Sequence, residues 1–159
     1  MKRGMRMEWR IKNFDGLTKR ELYDILRMRS EVFVAEQRSP YNDVDGADLC
    51  ALHLFAYDGE TLAASMRVLQ ASITYDTPSL GRVAVAPAYR GRGLARAMME
   101  RGISLARAEF GDCALTIGAQ VYLTEFYRSF GFIEISEPYD DAGVQHVDMR
   151  LELRGAGRV

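Results

Sequence analysis

The chain has 159 residues, 48% of them hydrophobic and 27% charged, with a formal net charge of −1. These are ordinary globular values, and the length is enough to bury a core within one domain spanning 1–159. They argue against a nucleic-acid binder, which carries a clear basic excess, and no apolar run approaches the length of a membrane span. Cys50 and Cys113 are too few and too isolated for a disulfide framework or a cysteine-based zinc site. The start MKRGMRM is basic but has no apolar stretch behind it, so it does not read as a signal peptide. A cytoplasmic protein is expected, with disordered ends at 1–6 and 155–159.

In chain order, residues 8–14 place Trp9 and Ile11 in alternation and read as a first strand. Thr18 and Glu21 have capping-box spacing, and Leu22, Ile25, Leu26, Val32 and Phe33 then recur at helical intervals. Two period-two runs, 52–57 and 62–68, meet around Asp58-Gly59, the mark of a hairpin with a primed turn. Residues 80–85 form the next strand, a helix follows over 93–110, and 113–119 is a further strand. A short helix is expected over 123–130 and a strand over 132–135. After the turn Asp140-Asp141-Ala142-Gly143, Val147, Met149, Leu151 and Leu153 alternate with polar residues as a last strand. No internal repeat or linker interrupts the series.

The most informative stretch joins strand 80–85 to the following helix. After Pro87 it reads Arg90-Gly91-Arg92-Gly93-Leu94-Ala95. The first four N–H groups of a helix lack internal partners, and the macrodipole puts positive charge there. Glycines let backbone approach an anion, and Arg82, Arg90, Arg92 and Arg96 add attraction. The stretch therefore reads as a diphosphate site. It is not a P-loop, for no Gly-x-x-x-x-Gly-Lys-Ser/Thr string occurs. Nor is it a dinucleotide fingerprint, because Arg96 stands where the third glycine belongs.

Arg90-x-x-Gly93-x-Ala95 resembles the Q/R-x-x-G-x-G/A signature of the GCN5-related N-acetyltransferases (GNAT). A second motif agrees. Residues 118–132 are similar to the family's later N-x-x-A-x-x-x-Y, x-x-x-G-F pattern, with Tyr127 in the tyrosine slot and Gly131-Phe132 closing the helix. Gln120 replaces the asparagine and Leu123 the alanine, which puts contact geometry rather than fold in question. With residues 29–37 and 40–46, which resemble ElaA-like members, the likeness covers roughly 7–153.

The resemblance implies an α+β fold of the α/β type. Its mixed central sheet would have six to seven strands, flanking helices and a splayed central strand pair. It also implies acetyl-CoA as cosubstrate. Arg90, Gly91, Arg92, Gly93, Leu94 and Ala95 would hold the pyrophosphate, with Gln120 contributing from the later motif. Val83, Ala84 and Val85 would pair with the pantetheine arm. The reaction implied is direct acetyl transfer to a neutral primary amine. Backbone N–H of the Val83 to Val85 strand is the candidate oxyanion donor. Tyr127 is the candidate acid for the departing thiolate, its alternative being a core aromatic beside Phe126 and Phe130.

The acceptor is a small molecule or peptide amine, with a homodimer left open. Glu31, Glu36, Asp43, Asp45 and Asp48 form an acidic segment suited to a cation, or else a solvated helix end. Glu36, His53 and water are the alternatives for the base. Asp43-Val44-Asp45-Gly46 has the outline of a calcium loop. Its register, however, puts Tyr41 and Leu52 where acidic ligands belong. His53 and His146 lack ligand spacing, and no metal is expected. Two other functions fit the same sequence: a non-catalytic acyl-CoA sensor, and an acyl-homoserine-lactone-synthase-like acyltransferase.

Overall fold

The computed structural model describes residues 6–154, so the expected disorder at 1–6 and 155–159 falls, apart from Arg6, outside the described residues. The regular elements begin with β1 (Met7–Asn13), α1 (Lys19–Arg29), β2 (Leu52–Asp58) and β3 (Thr61–Leu69). They continue with β4 (Ser79–Val85), α2 (Leu94–Phe110), β5 (Ala114–Gln120) and α3 (Thr124–Arg128). Three strands close the chain, β6 (Ile133–Glu134), β7 (Tyr139–Asp141) and β8 (Val144–Glu152). Among the described residues the sheet is mixed and has eight strands, where six to seven were expected. The extra one is β7, three residues too short to show a period and read from sequence as the approach to a turn. No helix of the described residues is long and apolar enough to cross a membrane.

The described chain forms two compact units. One holds the residues up to Arg67 together with Arg82–Met99; the other holds Val68–Gly81 and the residues from Glu100 onward.

In the first unit the strand order is β1-β2-β3-β4. β1 runs antiparallel to β2 from Met7 opposite Asp58 to Asn13 opposite Leu52. Gly59 takes φ +61° between β2 and β3, as a primed turn requires. The capping box forms: the Thr18 hydroxyl accepts from the Glu21 N–H at 3.0 Å, and the Thr18 N–H donates to Glu21 Oε1 at 2.8 Å. Glu21 also receives Arg10 at 3.0 Å and Lys12 at 2.8 Å, which ties β1 to α1. The Arg10 and Lys12 face of β1 is turned to α1, and Ile11 is 51% exposed. The core is Ile25, Met28 and Val32 from the helical stretch against Phe55, Tyr57, Leu62 and Ala84. Beyond α1 the helix widens into a π-type stretch, Ser30–Glu36.

In the second unit the start of β4 pairs in parallel with β5 through one register pair, Ser79 with Thr116. A ladder this short fits the splayed pair expected. β5 and β8 run antiparallel from Ala114 opposite Glu152 to Gln120 opposite His146, and β6 and β7 both pair with β8. The pleat sorts this ladder into two faces. Leu115, Ile117 and Ala119 lie opposite Leu151, Met149 and Val147 on the apolar face. Thr116, Gly118 and Gln120 lie opposite Arg150, Asp148 and His146 on the polar one.

Candidate active site

The loop from β4 to α2 has the backbone that anion binding needs. A 3₁₀ turn, Pro87–Tyr89, leads into it, with the Tyr89 N–H bonded to Ala86 O at 2.9 Å and the Arg90 N–H to Pro87 O at 3.3 Å. Gly91 and Gly93 then adopt φ +76° and +74°, the left-handed region that favours glycine. A Cβ built at either would have nothing within 4 Å, so the space above both is open. α2 begins at Leu94, and the Ala97 N–H is the donor that reaches back to Gly93 O, at 3.1 Å. The amides of the first turn precede that bond. The Arg92 guanidinium lies 5.7 Å from the centre of the Tyr89 ring, and the Tyr89 hydroxyl donates to Asp58 at 2.8 Å. Leu94 is buried and anchors the helix start, while Gly91, Arg92 and Gly93 face solvent.

Arg90 and Arg82 have protein partners. Arg90 donates from Nε to Val85 O at 3.0 Å and forks onto Glu36, with Nη2 to Oε2 at 2.8 Å. This pairing holds the Glu36 carboxyl below its ordinary range, the opposite of what a base needs. Arg82 turns to the acidic segment: Nε lies 2.9 Å from Asp43 and Nη2 3.2 Å from Asp45. Its backbone takes φ +50° inside β4, a left-handed residue in a strand, directly before Val83, Ala84 and Val85. Such a conformation persists only where the surroundings fix it, and the two carboxylates supply the fixing.

The acidic segment is accordingly an ionic network rather than an open cation surface. Arg29, 1% exposed, donates to Asp43 at 2.8 Å and to Asp48 at 2.7 Å. Arg67 forks onto Asp45 at 2.8 and 2.7 Å and reaches Asp48 at 3.3 Å. With Arg82, three guanidinium groups answer three carboxylates. Burial alone would raise the Asp48 carboxyl, but Arg29 and Arg67 outweigh it and hold it low. Asp45 is held low chiefly by the Arg67 hydrogen bonds. His53 is 2% exposed, bonds Asp48 O through Nε2 at 3.0 Å, and has its pKa lowered by burial. Sequence reasoning missed Arg29 and Arg67. Their partners lie 14 to 22 residues away, and the only available signal was a run of aspartates needing cations. No group of three or more His, Cys, Asp or Glu among the described residues could hold a metal ion.

Gln120 and Tyr127 belong to the second unit. Gln120 ends β5 opposite His146 and leads into a 3₁₀ turn, Val121–Leu123. α3 is shorter than the expected 123–130: Leu123 belongs to this turn, and the helix ends at Arg128 with Ser129 as its C-cap. Tyr127 is 8% exposed, with its ring edge-on to Phe126 at 5.2 Å and to Phe132 at 6.3 Å; Phe130 packs on Phe126 instead. Burial, with Tyr122 nearby, pushes its phenol up to about 12. Gly131 takes φ +102° and closes the helix, with Leu151 Cδ1 3.0 Å from where a Cβ would stand.

Comparison with known proteins accords with this geometry. The acetyltransferase (GNAT) domain family matches residues 29–153. ElaA of Escherichia coli is 34% identical over 149 residues, covering 92% of this chain and 97% of that protein; its crystal structure superposes with a TM-score of 0.87. An acyl-CoA N-acyltransferase from Pseudomonas aeruginosa has the same TM-score, at 36% identity over 91% of this chain and 99% of its own. The acyl-homoserine-lactone synthase LasI, at TM-score 0.75 and 17% identity over 95% of this chain and 92% of its own, shares the fold alone. With the domain family matched over most of its length and relatives identical at a third of positions along nearly all of it, the chain belongs to the GNAT acetyltransferase family.

Proposed function

We propose that the protein transfers an acetyl group from acetyl-CoA to a primary amine by direct attack of the neutral amine. The observation that carries this reading is the glycine-shaped helix start at Gly91 to Ala95, set directly after the strand that ends in Val83, Ala84 and Val85. The two left-handed glycines and the open space above them suit a diphosphate held by backbone amides. Acetyl-CoA would supply an activated thioester. Gly91, Arg92, Gly93, Leu94 and Ala95 would hold its pyrophosphate, with Gln120 a further contact. Arg90 is proposed beside them, and its bonds to Glu36 and Val85 O brace the loop.

Backbone N–H groups of Val83 to Val85 would donate to the carbonyl oxygen as charge develops on it. Tyr127 would give its proton to the departing thiolate, and a phenol at about 12 keeps that proton throughout the working range. The amine must lose its own proton before attack, since a protonated alkylamine has no lone pair. Glu36 and His53 are both engaged elsewhere, which favours release of that proton to water. A cytoplasmic setting fits a CoA thioester as substrate.

The test is thiol release from acetyl-CoA with a panel of primary amines. Release that depends on the amine, with the acetylated amine as product, is expected. Binding of acetyl-CoA without release to any amine would instead support an acyl-CoA sensor. Release only with an acylated carrier protein and S-adenosylmethionine would support the lactone-synthase reading.

A further inference from the structure

The buried carboxylates of the first unit are met by cations: Glu21 by Arg10 and Lys12, Asp24 by Arg20, Asp43 and Asp48 by Arg29. Asp148 in the second unit is different. It lies half-buried on the polar face of β8, opposite Gly118, and makes no ion pair among the described residues. Two phenols meet it instead. Tyr75 donates to Oδ1 at 3.1 Å and Tyr139 donates to the same oxygen at 2.7 Å. Oδ2 is left without a protein partner.

The arrangement is built rather than incidental. Gly118 is exposed, and a Cβ on it would stand 2.9 Å from the Tyr75 hydroxyl and 3.3 Å from that of Tyr139. A side chain there would make the Tyr75 hydroxyl shift and crowd that of Tyr139. The Asp148 backbone is pinned on both sides, its N–H to Ser136 Oγ at 2.9 Å and its C=O by the Ile135 N–H at 2.9 Å. Tyr139 stacks on His146, with ring centres 6.1 Å apart and planes 24° apart. Burial and Asp148 together push the Tyr75 phenol up to about 12, and Tyr139 is raised as well, so both remain donors. A neutral phenol fixes a carboxylate without cancelling its charge.

We propose that Asp148, framed by Tyr75 and Tyr139 over the Gly118 floor, is a binding site for an alkylammonium group. The ammonium would donate to Oδ2 in a charge-assisted hydrogen bond beside the two aromatic rings.

Amide NMR of the full chain titrated with 1,4-diaminobutane tests the site without any acyl donor. Saturable shifts are expected at the Gly118 and Asp148 amides, with no such response to butane-1,4-diol, the uncharged analogue. Asp148→Asn should weaken the response about tenfold or more. Silence at both amides, an equal response to the diol, or an unchanged isotherm in a folded Asp148→Asn would each overturn the proposal. The mapping on the unmodified protein decides the matter should the variant not fold. Thiol release from acetyl-CoA with the same diamine separates the two readings. Turnover with silent Gly118 and Asp148 amides would remove this site and keep the acyltransferase. A responsive site with no thiol release from any amine would do the reverse.

Discussion

At Tyr127 the ring and the hydroxyl can be tested separately. The ring packs edge-on to Phe126 and Phe132, and Tyr127→Phe keeps it. Loss of the hydroxyl should lower kcat by about 10²–10⁴-fold, the range for a missing general acid, with acetyl-CoA affinity unchanged. A wild-type kcat in a folded variant would reduce Tyr127 to core. Because the phenol is held at about 12, the wild-type rate should show no loss from its ionisation up to about pH 10. A high-pH limb near 10 that vanishes in Tyr127→Phe would show a less perturbed phenol. Gly93 is the other decisive residue. At φ +74° an L side chain is strained, and its Cβ would enter the open space where the anion is expected. Gly93→Ala should lose acetyl-CoA affinity by about tenfold, roughly 1.4 kcal/mol, with circular dichroism unchanged. Normal affinity would place the pyrophosphate elsewhere.

At the scale of elements, the link between the helical stretch and the loop 41–48 is ionic. Arg29 is buried with two aspartates, so Arg29→Ala leaves both carboxylates short of a partner in a dry site. A destabilisation of about 3–5 kcal/mol is expected by denaturant unfolding. A change below about 1 kcal/mol would mean that water replaces the guanidinium. The same network sets the acid limit. Asp45 and Asp48 have depressed carboxyls, so the stability they confer is complete above about pH 4, where unfolded carboxylates ionise. It is lost as pH falls through their folded values, joined by Glu21, whose carboxyl sits at about 2. The melting temperature should therefore drop between pH 4 and 2; a rise over that interval would contradict the pairing. None of this was legible in sequence. Periodicity reports which face of an element is apolar, as it did for Ile25, Phe55 and the alternation of β8. It carries no information on which arginine meets which aspartate across loops.

For the whole molecule, the order of strands and helices was legible because hairpin, capping-box and helix-stop signals are local. Boundaries shifted by one or two residues, and β7 escaped because three residues do not make a period. The glycine turn before α2 was legible as well, since Gly91 and Gly93 sit where positive φ is required. The partners of the arginines around it were not: Arg82 meets Asp43 and Asp45, and Arg90 meets Glu36. What remains central is that this loop is a CoA site, and thermal unfolding with added ligand measures that most directly. A ligand at a hundredfold excess over its Kd stabilises the native state by about 2.7 kcal/mol. For a chain of this size that is a rise of about 5–10 °C. Acetyl-CoA and CoA should produce it, whereas NAD and ATP at the same concentration should not. No shift at millimolar acetyl-CoA, or an equal shift with NAD, would contradict the account.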